Sequence, residues 1–379
     1  MLANIECKNG LLNWLIPAKL DRSYQVQCVE PLLEPANKAL LDAGELCEQR
    51  LVVIDSGIPA LLCDQIKSYF STHRVTATYL TVSGGEACKN FQALQGILEA
   101  FAAFRLKRKM EPVIVFGGGA VLDIVGFAAS IYRRGVPFIR IPTTLLAFVD
   151  AAIGIKTGMN FGRQKNLLGS YYPPLTVFLD RNFLIPLNRR QFISGLAEIL
   201  KVAISCDTEL FEMLERNVIK FKTQDLFDAH LGEILFKAID ITLSQLAQNI
   251  YENDLYRFLD FGHTFSTAFE MTAASMPHGE AVALDMNLSA ILSMHRGFLQ
   301  REDFYRIARV TEQLGLPTAI PDISFSDIWN SVDDRSYHRG GHQRIPIPAR
   351  LGQCVFIEDD LTPQELTDAL KEFGRKSWR

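Results

Sequence analysis

The sequence predicts an α/β domain on a parallel sheet followed by a mostly α-helical domain, and three observations carry this. In the first half, short apolar runs alternate with helical stretches, as in "QRLVVIDSGI", "PALLCDQIKSYFSTH" and "ATYLTVSGGE". Strands separated by helices, with near-continuous apolar cores, belong to a parallel sheet covered on both faces. The stretch "EPVIVFGGGAVLDIVGF" reads as a buried strand passing through three glycines into a helix. After about residue 186 the apolar spacing becomes helical and few β runs follow.

Taken in order, "SYQVQCVE" is a strand, "QRLVVIDSGI" a strand ending in a turn, and "PALLCDQIKSYFSTH" an amphipathic helix. Next come the strand of "ATYLTVSGGE", the helix "NFQALQGILEAFAAFRLKRK" and the buried strand of "EPVIVFGGG". "VPFIRIPTTLL" and "LTVFLD" supply two more strands. Beyond "LIPLNRRQ", the segments "RRQFISGLAEILKVAIS", "TELFEMLERNVIKF", "LGEILFKAIDITLSQLAQNI" and "GEAVALDMNLSAILSMHRGF" carry helical spacing. The expected division is therefore 1–185 and 186–379, with no internal repeat or low-complexity tract. A chain of 379 residues is long enough for two such units.

Composition narrows the partners. A net charge of −4 without a long basic run gives no nucleic-acid surface. No stretch of about eighteen apolar residues reads as a membrane span, and "MLANIECKNGLLNWLIPAKLDRS" lacks the pattern of a signal peptide. Seven scattered cysteines without a C-x-x-C pair argue against a disulfide framework and for a reducing compartment. The expectation is a cytoplasmic protein that meets any polyanion locally.

Several stretches carry chemistry. The glycines at 117–119 let backbone approach a ligand, and the helix that follows presents amides to an anion. The same arrangement also serves a tight turn without a ligand. "VIDSG" with Asp55 and "SGGEACK" with Glu86 and Lys89 sit where open α/β sheets bind ligands. An acidic residue there suits a ribose diol, although a solvated turn carboxylate is the commoner case. Arg133, Arg134, Lys156, Lys165 and Asn166 lie on or near glycine-rich backbone. Such a mixture suits a phosphate, against the alternative of ordinary solvated side chains. "GLAEILK" places Glu198 and Lys201 on one helical face among apolar residues, where a carboxylate wants a strong partner. Joined with His263 and His278, Glu198 makes a His-His-carboxylate set with the ligand count of a catalytic zinc site. Read alone, the histidines could equally be a general acid and base or two surface residues.

The ordered series "GGGAVLDIVGF", "YRRG", "IPTTLLAFVDAAIGIKTGMN", "KNLLG", "GLAEILK", "GHTF" and "HGEAV" resembles the dehydroquinate synthase superfamily of sugar phosphate cyclases, over about residues 50 to 360. The resemblance implies a Rossmann-like NAD-binding domain, a helical metal-binding domain, an active site in the cleft between them, and a homodimer. It implies that Glu198, His263 and His278 hold a divalent metal, zinc or cobalt. Gly118, Gly119, Asp123, Thr143 and Thr144 are then NAD contacts, with Asp55, Glu86 and Lys89 as further nucleotide contacts. Asp150, Lys156, Lys165, Asn166, Lys201 and Arg257 become substrate-side residues, with Asp150, Lys156, Lys201 and Asp260 in catalytic roles, and Arg134 reaches the phosphate across the dimer interface.

Departures from dehydroquinate synthases point to a subfamily. Asp260 replaces an asparagine, Thr267 replaces a histidine, and no lysine stands about twenty residues before His263. An added Asp260 would repel a carboxylated substrate, so a neutral sugar phosphate is expected. "LAQNIYENDLYRFLDFGHTFS" and "QRIPIPARLGQCVFIEDDLT" resemble the sedoheptulose 7-phosphate cyclases. Asp260 and Glu280 resemble the 2-epi-5-epi-valiolone synthase group, where Thr267 is a mismatch that keeps a 2-epi-valiolone synthase in view. His338 is the expected substitute for a lysine of dehydroquinate synthase. The implied chemistry is transient oxidation by NAD⁺, loss of phosphate, return of the hydride, ring opening and aldol closure. Further readings are a 3-dehydroquinate synthase, a metal-dependent polyol dehydrogenase and a non-catalytic sensor.

Overall fold

The computed structural model describes residues 4–8, 11–15, 22–44, 49–162, 164–272 and 276–374. An antiparallel pair, β1 (Asn4–Lys8) and β2 (Leu11–Leu15), stands apart from the main sheet. Then β3 (Gln25–Cys28), α1 (Ala39–Asp42), β4 (Gln49–Asp55), α2 (Ala60–Thr72) and β5 (Thr76–Val82) begin the alternation. It continues through α3 (Phe91–Ala103), β6 (Val113–Gly117), α4 (Gly119–Ile131) and β7 (Phe138–Pro142). A π-helical turn at Ala147–Ala151 leads into the antiparallel hairpin β8 (Lys156–Phe161) and β9 (Gln164–Tyr171), and β10 (Thr176–Leu179) returns to the main sheet.

That sheet has six strands in the order β3-β10-β7-β6-β4-β5, all parallel. Its apolar runs are explained by burial on both faces. Leu51, Val53, Val113, Val115 and Phe138 point into one core, whereas Val52, Ile54, Ile114, Phe116 and Ile139 point into the other. The first of these cores continues into the helical half, so the two halves share apolar packing. The loops after β4, β5, β6 and β7 collect at the carboxyl edge of the sheet, where such folds bind ligands.

The helical half comprises α5 (Arg189–Cys206), α6 (Thr208–Asn217), α7 (Ala229–Gln248), α8 (Ser266–Thr272), α9 (His278–His295), α10 (Arg301–Leu314) and α11 (Phe325–His338). The hairpin β11 (Ile345–Arg350) and β12 (Gln353–Ile357) and helix α12 (Pro363–Gly374) complete it. α5 starts on a capping box, with the Asn188 side chain accepting from the Gln191 amide and Gln191 reaching back to Asn188. α9 is buried continuously from Ala281 to Ser293, as expected of a helix carrying small and apolar residues on every side.

One local expectation differs from the structure, and one region without an expected element takes a definite form. α3 stops at Ala103 rather than running through "RLKRK", because Arg105 turns left-handed at φ 58° just past the Phe104 cap. The glycine-rich region after Lys156 is a hairpin whose strands approach closely at Gly158 and Gly169. A Cβ on Gly169 would lie 2.5 Å from the Thr157 carbonyl oxygen, so glycine is what permits the pairing.

Candidate active site

A cleft of 2010 Å³ runs between the carboxyl edge of the sheet and the helical half. At the sheet side, the turn after β6 enters α4, which starts with Gly119 after the Gly118 cap. The Asp55 carboxylate ties two of the loops together: its Oδ1 accepts from Gly57 N at 2.8 Å and its Oδ2 from Gly118 N at 3.1 Å. A Cβ on Gly84 would come within 2.3 Å of Asp55 Oδ1, so the third loop also closes on this carboxylate. Asp55 thus engages two backbone amides and also lines the cleft. Thr143 N donates to Gly117 O at 3.0 Å, and Thr144 Oγ1 accepts from Ala147 N at 3.3 Å. Gly118, Gly119, Asp123, Thr143, Thr144 and Glu86 all line the cleft.

Lys89 is buried and makes a 2.8 Å ion pair with Asp123. Its ammonium also donates to Asn166 Oδ1, and Glu86 stands 3.9 Å away. Burial disfavours the ammonium, but Asp123 and Glu86 outweigh it and raise its pKa. Lys89 therefore fastens the sheet loops to the β8–β9 hairpin, which Asn166 occupies.

At the helical side, Glu198 on α5, His263 in the turn before α8, and His278 at the start of α9 converge. Their potential ligand atoms all lie within 4.8 Å of one another. Close approach of three elements makes this possible. A Cβ on Gly195 would lie 2.5 Å from Leu145 Cβ, and one on Gly279 only 1.9 Å from Ser194 O. His278 Nδ1 is paired with Glu270 Oε1 at 2.8 Å, and His263 Nδ1 faces the Phe261 carbonyl at 3.1 Å. Both Nε2 atoms are left facing Glu198 Oε1, at 3.4 Å from His278 and 4.0 Å from His263.

Glu198 is 1% exposed, and neither of its oxygens accepts a well-directed hydrogen bond, although Lys201 Nζ is 2.5 Å from Oε2. A fully buried carboxylate with unsatisfied oxygens between two imidazoles fits a divalent cation. Burial opposes its ionisation, but the Lys201 ammonium and the imidazoles hold it well below the usual carboxylate range. Lys201 also meets Asp150 at 3.3 Å, where burial raises the Asp150 pKa against the pull of Lys201.

The remaining wall is a network of charges. Lys156 pairs with Glu252 and Lys165 with Glu270. Arg257 bridges Glu252 at 2.6 Å and Asp260 at 3.3 Å. Asp260 also accepts from Arg339 and forms a 3.1 Å ion pair with Arg335, while Arg335 donates to the His263 carbonyl at 2.6 Å. These five cations face three carboxylates, an excess of two positive charges that suits a phosphate dianion.

This network corrects the argument from Asp260. Its carboxylate is surrounded by three guanidinium groups that hold it ionised far below its ordinary range in spite of burial. It is therefore no free negative charge repelling a substrate carboxylate. The buried cation beside Asp260 is Arg339, whereas its neighbour His338 is exposed at the cleft wall. Thr267 is likewise exposed and lines the cleft. Arg134 is exposed in the turn after α4 and is not among the residues lining the cleft within one chain.

Sequence reasoning missed Glu252, Glu270, Arg335 and Arg339. Arg335 and Arg339 carried a signal, since their four-residue spacing places both on one helical face. Glu252 and Glu270 carried none, because their partners are assembled by the fold.

Comparison with known proteins adds to this geometry. Residues 79–194 match the family model "3-dehydroquinate synthase N-terminal", and residues 195–334 match "3-dehydroquinate synthase C-terminal". A 2-epi-5-epi-valiolone synthase from Actinomyces sp is 38% identical over 375 residues, covering 95% of this chain and 98% of that protein. The 2-epi-5-epi-valiolone synthase of Streptomyces hygroscopicus subsp. jinggangensis 5008, solved with NAD⁺ and Zn²⁺ bound, superposes with a TM-score of 0.92 at 38% identity. That match covers 96% of this chain and 100% of the other. A 2-deoxy-scyllo-inosose synthase, solved with carbaglucose-6-phosphate, NAD⁺ and Co²⁺, shares the fold with a TM-score of 0.79 at 24% identity, over 93% and 97% of the two chains.

Proposed function

This chain belongs to the 3-dehydroquinate synthase family, and on that premise we propose that it converts sedoheptulose 7-phosphate into the C7 cyclitol 2-epi-5-epi-valiolone, releasing phosphate and using NAD⁺ and a divalent cation. The observation that carries the reading is one cleft uniting a glycine turn at the sheet edge, an unsatisfied Glu198 between two imidazoles, and a wall with excess positive charge. NAD⁺ supplies a hydride acceptor restored in each turnover, and Zn²⁺ or Co²⁺ supplies a Lewis acid.

The residues divide the remaining work. The turn at Gly118 and Gly119, with Thr143 and Thr144, receives the dinucleotide, and Asp123 is held in place by Lys89. Glu198, His263 and His278 hold the cation, with the histidines presenting Nε2. Lys201 neutralises Glu198 and, with Asp150, offers a donor and an acceptor to the sugar hydroxyls. Lys156, Lys165, Asn166 and Arg257 meet the phosphate, exchanging Glu252 and Glu270 for its oxygens. Such positioning of the phosphate beside the C–H to be broken lets the leaving group itself accept the proton.

The reading includes a division of the chain at 185/186, a homodimer in which Arg134 of one protomer reaches the other's phosphate, and a cytoplasmic location. No helix among the described residues is long and apolar enough to cross a membrane.

The test is incubation with sedoheptulose 7-phosphate, NAD⁺ and Zn²⁺ or Co²⁺, followed by phosphate assay, NADH absorbance and product NMR. Phosphate release without net NADH, and the NMR spectrum of 2-epi-5-epi-valiolone, is the expected result. Turnover only with the C7 keto-acid phosphate of a dehydroquinate synthase would overturn the substrate, and accumulating NADH would indicate a polyol dehydrogenase.

A further inference from the structure

Helix α8 is fastened to α9 at two points. At its N-terminal end, the backbone N–H groups of Phe265 and Ser266 both donate to Asp285 Oδ2, the second at 2.9 Å. Towards its other end, Glu270 holds His278 Nδ1 at 2.8 Å. His278 and Asp285 are seven residues apart, two turns of α9, and so face the same neighbour. The two fastenings thus come from one face of one helix.

Asp285 is 0% exposed, and Ser289, one turn further along α9, donates to its Oδ1 at 3.0 Å. A carboxylate in an otherwise apolar interior persists only when its oxygens are satisfied, and here three donors satisfy it. Asp285 does not line the cleft, so neither substrate nor nucleotide accounts for it. Phe265, which it grips, stands two residues after His263.

We infer that Asp285 is a positioning residue of the metal centre, locking the start of α8, and with it His263, against the helix that begins with His278. The separation of the two imidazoles, whose ring centroids lie 5.1 Å apart, is then set by a helix-to-helix clamp rather than by a loop. The inference rests on reading Glu198, His263 and His278 as the ligands.

The test challenges the Zn²⁺-loaded full-length protein with a chelator and records the concentration that removes half of the zinc. NAD⁺ affinity and far-UV circular dichroism are measured on the same samples. Asp285→Asn keeps the shape but loses the charge, leaving one neutral carbonyl oxygen for the two N–H donors and an NH2 group opposite the Ser289 hydroxyl. It is expected to weaken zinc by about 10- to 100-fold, the range for groups supporting metal ligands, with NAD⁺ affinity and helicity unchanged. Folded Asp285→Asn that holds zinc as tightly as the parent overturns the inference, since a cap serving stability alone would leave affinity untouched. Should that variant not accumulate folded, Ser289→Ala removes one donor and carries the same expectation at smaller size, with unchanged affinity again overturning it. Glu198→Gln separates the two readings. Loss of zinc there with full retention in Asp285→Asn defeats the positioning role alone, whereas full retention in Glu198→Gln defeats the ligand assignment.

Discussion

The carboxylate of Asp260 meets Arg257, Arg335 and Arg339 in a buried corner, and the consequences reach stability as well as recognition. Its folded pKa lies below the ordinary 3.8. A depressed carboxylate contributes stability that is fully present above its unfolded value and is lost as pH falls through its folded value. Asp260→Asn leaves three guanidinium groups without their shared counter-charge and is expected to destabilise the fold by about 3–5 kcal/mol, as for broken buried pairs. Urea midpoints of the parent and the variant should differ by a constant amount from neutral pH down to about pH 4, and converge below it. A difference that persists unchanged in strong acid would place the effect in packing rather than charge.

Among the elements, α5 and α9 do most to assemble the site, and glycine lets them do so. Gly279 follows His278 directly, and its missing side chain is what allows α9 to begin against the Ser194 carbonyl. Gly279→Ala would push a methyl group into backbone that has no side chain to rotate away. Overpacking of this kind is usually worth about 1–3 kcal/mol. The expected outcome is a folded protein with a lowered melting temperature and weakened zinc binding, because α9 retreats and takes His278 with it. Equal zinc affinity in the variant, by the same chelator titration, would show that α9 need not touch α5. The spacing in "GLAEILK" identified the Glu198 helix from sequence, since an apolar periodic run is a local signal. The β8–β9 hairpin was not legible, because its strands lack two-residue alternation and pair through close glycine contact.

At the scale of the molecule, Arg134 tests the proposed assembly. It is exposed and outside its own chain's cleft, so a role at the phosphate requires a second copy. Light scattering should give a dimer. Arg134→Ala should raise KM for the sugar phosphate by about 10- to 100-fold, the value of one charge-assisted hydrogen bond, with NAD⁺ affinity unchanged. A fully active monomer would refute the shared site. The sequence by itself determined the alternating sheet, the glycine turn into α4, the helical second half and the residues matching the family's motifs. All of these rest on neighbours within a few turns or on a fixed order of short motifs. Only the tertiary structure decided what each charge does. Lys165 finds Glu270 across 105 residues and Arg339 finds Asp260 across 79, and no periodicity encodes such pairs. Ionic partners follow from which surfaces the packed core brings together, so Asp260, whose type suggested repulsion, became the centre of a cationic cluster.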